Sequence, residues 1–361
     1  MTRCHPGRDR AVAGLCLGLA SALVGCGSAS SIDPGFEPAA PDGSGGAGGA
    51  GTSSTTTGGG SGGTSPQPLG PPYPIVLAHG FFGFDDFAGA GFFNYYFEVE
   101  EHLANRGELM VFTPEVDPFN SSTYRGAQLA DAVREVLDQT GHAKVNIIGH
   151  SQGGLDARVV AHDHPEWVAA VVTVGTPHGG SPIVDVALGL VEDPFVDDVL
   201  DFFFDTVGKR VWDQIGNETD LGDAIGTFST QGIVQFNADY PDQPGVFYAS
   251  VAGRSDRHEG GTACSAATPP FIEQWMSEQD PIDPLLSINE MILDGGLSDP
   301  HANDGMVRAI DARWGKFLGC VPADHFDEIG QLFGDGPGLG NDWTHKQFYA
   351  DLVVYLRDRG Y

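Results

Sequence analysis

Residues Gly149-His150-Ser151-Gln152-Gly153-Gly154 follow directly on the apolar run Val145-Asn146-Ile147-Ile148. A strand that ends in G-x-S-x-G is the signature of a nucleophile elbow, a sharp strand-to-helix turn with serine at its tip. Gly149 and Gly153 fit such a turn because backbone and side chains come too close there for a larger residue. Leu155 to His162 reads as the helix that follows. The pattern constrains the whole chain, because an elbow needs a buried strand before it, a helix after it and neighbouring strands on both sides.

Those neighbours are legible. Pro74-Ile75-Val76-Leu77-Ala78 ends in His79-Gly80 and reads as a buried strand, as do Leu109 to Phe112, Val168 to Val174 and Val246 to Ala252. Gly126 to Gln139 has Leu129, Val133, Val136 and Leu137 on one face and Gly141 beyond its end, which reads as an amphipathic helix. Trp343 to Arg359 reads as the last helix. Strands alternating with helices predict an α/β domain: a mostly parallel central sheet with helices on both faces. The residues place that domain at 73–361, with an insertion at about 181–240. The insertion holds the apolar run Val199-Leu200-Asp201-Phe202-Phe203-Phe204. Periodicity leaves open whether this run is a core helix or a lid over the site.

The N-terminus reads as an export signal. Arg3, Arg8 and Arg10 precede an apolar stretch of 14 residues, Ala11 to Val24, too short to span a membrane. The stretch ends in Leu23-Val24-Gly25-Cys26, which resembles a bacterial lipobox. That resemblance implies cleavage after residue 25 and lipid modification of Cys26. It predicts an exported protein, lipid-anchored at the outer membrane or cell surface; Gly27 after the cysteine points to the outer membrane. Residues 26–72 are then a tether rich in Gly, Ser, Thr and Pro, with too little apolar surface to order itself. Its root-mean-square span is roughly 35–40 Å.

Of five cysteines, Cys4 and Cys16 leave with the signal and Cys26 is the acylation site, which leaves Cys264 and Cys320. An even pair in an oxidising compartment is a disulfide candidate, against the alternative of two buried thiols. The net charge of −31, from 18 Lys and Arg against 49 Asp and Glu, excludes nucleic acid as a partner, since no dense basic patch can be assembled.

A serine nucleophile needs a base and an acid to orient that base, and in elbow enzymes these follow in the order serine, acid, histidine. His258, His301, His325 and His345 all come after Ser151, and acids are numerous. Spacing alone does not choose among them.

Longer motifs do. The stretches Tyr73-Pro74-Ile75-Val76-Leu77-Ala78-His79-Gly80, Lys144 to Gly154 and Val174-Gly175-Thr176-Pro177-His178-Gly179-Gly180-Ser181 resemble those of the secreted bacterial family I true lipases. Those are triacylglycerol lipases of the α/β-hydrolase fold. Asn303-Asp304-Gly305-Met306-Val307 and His325-Phe326-Asp327-Glu328-Ile329 extend the resemblance. It implies Ser151 as nucleophile, Asp304 as acid and His325 as general base. It implies an oxyanion hole from the backbone N–H groups of Phe81 and Gln152, the latter also placed by the elbow itself. It implies a structural Ca²⁺ held by Asp283 and Asp327 with carbonyls of Gln331 and Asp335, an oxygen set that suits a hard cation. A dedicated foldase chaperone is a further implied partner. The expected activity is hydrolysis of lipid or other carboxylesters. A short-chain esterase or polyester depolymerase with the same triad remains open, as does an inert surface-anchored binding module.

Overall fold

The computed structural model describes residues 67–81, 95–190, 225–255, 261–295, 300–331, 336–338 and 340–361. The signal, Cys26, all but the end of the tether, the Val199–Phe204 run, His258 and Asp335 lie outside the described residues. All the described residues belong to one compact unit, Thr64–Tyr361.

Six described strands form one parallel sheet: β1 (Ile75–Ala78), β2 (Val111–Phe112), β3 (Val145–His150), β4 (Val168–Val174), β5 (Phe247–Gly253) and β6 (Lys316–Val321). Their order across the sheet is β2-β1-β3-β4-β5-β6, and every pairing is parallel. β1, β3 and β4 are buried along their whole length. Helices cover both faces, which explains why these strands read as unbroken apolar runs rather than alternating ones. On one face α1 (Val99–Asn105) and the C-terminal helix pack over Leu77, Ile148 and Val172. On the other, α2 (Ser122–Thr140) and α3 (Gln152–Asp163) pack over Val76, Ile147 and Val171.

Local chemistry sets the ends of these elements. α2 begins four residues before the expected Gly126, because the Ser121 side chain caps it by accepting from the Tyr124 N–H. It ends at Gly141 in the left-handed conformation, φ 71°. The remaining described helices are α4 (Pro182–Ala187), α5 (Gly232–Asp239), α6 (Pro270–Glu273), α7 (Ser287–Leu293) and α8 (His345–Arg357). α4 and α5 flank the part of the insertion that is not described. Hydrogen-bonded structure also starts earlier than Tyr73: the Leu69 N–H donates to Gly141 O, and the Ala143 N–H to Leu69 O. β6 is not legible as a strand in the sequence, because Gly319 interrupts its apolar run.

The strand order reverses between β1 and β3: the chain leaves β1 toward β2 on one side and returns to β3 on the other. In open parallel sheets the crevice at the strand C-termini beside such a reversal is where ligands bind. Here that crevice holds the turn after β1 and the elbow after β3.

Candidate active site

Ser151 sits between β3 and α3 with φ 53° and ψ −129°, a strained conformation for a residue with a side chain. The turn closes only because its neighbours lack side chains. A Cβ on Gly153 would strike the backbone of Ala78 and His79, and one on Gly149 the backbone of Gly153. The Ser151 N–H donates to Val174 O, and the Thr176 hydroxyl donates to Ser151 O at 2.8 Å, so β4 braces the elbow.

His325 lies in the loop after β6, and Asp304 in the loop that follows α7. The Ser151 hydroxyl is 3.0 Å from His325 Nε2, and His325 Nδ1 is 2.9 Å from Asp304 Oδ2. Asp304 uses its other oxygen locally: Oδ1 accepts from the N–H groups of Met306 and Val307. That fixes the carboxylate while leaving Oδ2 for the imidazole. Asn303 locks the same turn, its Oδ1 accepting from the Gly305 N–H, and Gly305 has the positive φ of 85° the turn requires. The His325 N–H also donates to Asp304 O, tying the two loops together.

The turn after β1 brings Gly80 against Ser151. A Cβ there would collide with Ser151 Cβ and Tyr95 Oη. The carbonyl of Gly80 accepts from His79 Nδ1 at 2.9 Å and from Arg125 Nη2 at 3.2 Å. A trans peptide points its N–H opposite to its C=O, so the Phe81 N–H is directed away from Arg125. Gln152 starts α3, and its side chain donates to Asn120 O at 2.8 Å.

Sequence reasoning missed Arg125. It is fully buried, bonds Asp156 at 2.8 Å and donates to the carbonyls of His79, Gly80 and Asp117. Its signal was a cation on the apolar face of α2, one turn before Leu129. Burial raises the Asp156 carboxyl to about 6 even beside this guanidinium. Removing one partner of a buried pair typically costs about 3–5 kcal/mol. Arg125→Met is therefore expected to lose about that much stability in a urea titration.

A second buried acid, Glu328, lies 3.9 Å from His325 Nδ1 and 2.8 Å from His150 Nε2. Burial first, then the charges of Asp304, Asp324 and Asp327, push its carboxyl well above the usual range. His150, behind the elbow, is held well below the ordinary histidine value by burial and by His325. His178 is a packing residue, stacked on Trp314 with Nε2 2.9 Å from the Thr173 hydroxyl.

The chain matches the model of the alpha/beta hydrolase fold over residues 73–211. It is 31% identical to a triacylglycerol lipase of Vibrio cholerae, over 79% of this chain and 85% of the relative. It is 30% identical to a triacylglycerol lipase of Pseudarthrobacter phenanthrenivorans, over 73% of this chain and 90% of that one. The chain belongs to the bacterial triacylglycerol lipase family. It is accordingly a serine carboxylester hydrolase. The structure of EstA from Clostridium botulinum is similar in fold, with a TM-score of 0.51 and 19% identity, covering 81% of this chain and 89% of that one.

In this lipase-family chain the disulfide joins Cys264 to Cys320, with Cα atoms 5.3 Å apart. Cys320 is on β6, five residues before His325, so the bond tethers the strand that presents the histidine.

An acidic cluster lies beside the histidine loop and includes the expected Asp327. The carboxylates that converge are Asp280, Asp324 and Asp327, all buried. Asp283 stands beside them: its backbone N–H donates to Asp324 Oδ2, and its charge acts on both Asp280 and Asp324. Asp280 and Asp283 are three residues apart on a segment broken by Pro281 and Pro284. Gln331 is buried, with its side-chain amide donating to Tyr95 O.

The cluster is chemically suited to a hard cation. Neither oxygen of Asp280 makes a well-formed hydrogen bond, although it is fully buried. Burial and then Asp324 raise its carboxyl to about 8, the Asp324 backbone and Asp327 side chain offsetting part of this. Burial raises Asp324 to about 6. Three adjacent buried acids without a cation are costly, and oxygen ligands of this kind fit Ca²⁺.

Proposed function

We propose that this chain hydrolyses triacylglycerols and related long-chain esters through an acyl-enzyme on Ser151. The observation that carries this reading is the pair of contacts Ser151 Oγ–His325 Nε2 and His325 Nδ1–Asp304 Oδ2, 3.0 and 2.9 Å long. His325 takes the serine proton as Ser151 attacks the ester carbonyl, then gives it to the departing alcohol. Asp304 holds the tautomer with the proton on Nδ1 and stabilises the imidazolium. The N–H groups of Phe81 and Gln152 receive the developing oxyanion, where one donor is worth roughly 10²–10³ in rate. Water, activated by His325, releases the acid.

The lipase reading is supported by the relatives named triacylglycerol lipase, and a preference for long chains by an apolar wall beside the oxyanion turn. The Phe81 ring meets Phe119 and Phe228 edge-on, at 5.6 and 6.4 Å. Initial rates on esters from C4 to C16 test it. We expect activity that rises with chain length and jumps as substrate passes its solubility limit. Activity confined to C4 esters without that jump would make the chain a short-chain esterase.

Calcium belongs to the same reading. Asp280, Asp324 and Asp327 would hold it, and it would supply charge compensation that steadies the loop carrying His325. The N-terminal features support an exported lipoprotein attached to a membrane through Cys26, with a foldase as a folding partner. Metabolic labelling with an alkynyl fatty acid, lost in Cys26→Ser, is the expected result. Among the described residues no helix is long and apolar enough to cross a membrane.

A further inference from the structure

A line of polar groups, Glu328 and His150 buried and Tyr95 half-buried, runs beneath the triad and takes no part in the chemistry just described. Glu328 lies three residues after His325, and its Oε2 is 2.8 Å from His150 Nε2. His150 Nδ1 is 2.8 Å from Tyr95 Oη. The same tyrosine oxygen lies against Gly80, where an added Cβ would strike it, and the Gly80 N–H acts on it as a nearby donor. Two hydrogen bonds and the packing of Tyr95 on Gly80 therefore join the histidine loop, passing behind Ser151, to the turn after β1.

The packing around this line is close. A Cβ on Gly175 or Gly253 would collide with the Glu328 carboxyl, and a Cβ on Gly80 with Tyr95 Oη. Gly80 is consequently held at both of its backbone groups. Its N–H faces the Tyr95 hydroxyl, and its carbonyl accepts from His79 and Arg125. A glycine has the greatest backbone freedom of any residue, and this one immediately precedes the amide assigned to the oxyanion.

We propose that Tyr95 is a positioning residue for oxyanion stabilisation. Its hydroxyl, anchored by His150 and Glu328, fixes the N–H of Gly80 and with it the direction of the Phe81 N–H. Tyr95 touches no reacting atom and acts through Gly80. The inference rests on the reading of Phe81 and Gln152 as the oxyanion donors.

Such a role separates transition-state binding from substrate binding. The test is Tyr95→Phe, which removes one oxygen and keeps the ring. kcat and KM are measured on a soluble ester, together with the Ki of an arylboronic acid that forms a tetrahedral adduct. The expected result is a fall in kcat of about tenfold or more, indirect loosening costing less than outright loss of a donor. KM should stay within about twofold, and Ki should rise by the factor that kcat/KM falls. Tyr96→Phe is the structural control. Its hydroxyl donates to Ala78 O at 2.7 Å and accepts from the His150 N–H at 3.1 Å. It should lower Tm and leave the ratio of Ki to KM unchanged.

Wild-type kcat and Ki in Tyr95→Phe would overturn the proposal, as would a change confined to KM. Should Tyr95→Phe fail to fold, His150→Gln keeps the tyrosine but breaks its link to Glu328. The same parallel loss is expected, and an unchanged Ki would overturn the idea. Ser151→Ala separates the two layers. If it stays active, the reading of the site fails; if it is inactive while Tyr95→Phe is normal, only this inference fails.

Discussion

Ser151→Ala is expected to reduce kcat by roughly 10⁵–10⁶ while leaving the fold intact, as removal of the serine or histidine does in other triads. The reason lies in the geometry of the elbow. Ser151 is held at φ 53° by neighbours that cannot carry side chains, so its hydroxyl meets His325 at 3.0 Å without any rearrangement. An alanine at 151 keeps the turn and the two backbone N–H groups proposed for the oxyanion, so a residual acceleration of roughly 10³–10⁴-fold over water is expected to survive, as in other triads. His325→Ala should cost about as much as Ser151→Ala, and the double variant little more, because the residues act as one unit. Initial rates on a soluble ester, with circular dichroism as the check on folding, decide it. Activity within about tenfold of wild type in Ser151→Ala would remove the serine from the mechanism.

Chelation should lower stability. A ligand present at about 100 times its Kd contributes about 2.7 kcal/mol, which for a domain of this size is a shift of roughly 4–5 °C in Tm. EDTA is expected to lower Tm by that amount and Ca²⁺ to restore it. The pH dependence has a definite sign. The Asp280 carboxyl is raised to about 8 and that of Asp324 to about 6. Between about pH 4 and 8 the metal-free fold therefore binds protons that the unfolded chain does not. Its stability falls as pH rises through that window. Calcium requires the ionised acids, so its stabilising effect grows over the same range. The difference in Tm with and without Ca²⁺ should be greater at about pH 8 than at about pH 6. A melt that chelation does not move at the higher pH would remove the metal from the mechanism of stabilisation.

What could be read from the sequence was what is encoded locally. The elbow is a five-residue requirement for small neighbours, and β1, β3 and β4 are buried on both faces, so each left a continuous trace. Asp304 and His325 carried no such trace. Four histidines satisfied the chain order, and motif resemblance chose the one that lies against Ser151. The rest depends on partners far away in the chain. Glu328 meets His150 across 178 residues, and Arg125 meets the carbonyls of His79 and Gly80 across about 45. Neither pairing has a periodicity to reveal it. β6 was lost because a glycine interrupts its apolar run, and with it the strand that delivers the histidine.

An acyl-enzyme formed on Ser151, made nucleophilic by His325 and Asp304, leaves a direct signature. Mass spectrometry after treatment with a p-nitrophenyl alkylphosphonate tests it most directly. One equivalent of phosphonate on the peptide containing Ser151, with activity lost in proportion to labelling, is the predicted result. Labelling at another residue, or full activity after complete labelling of Ser151, would contradict it.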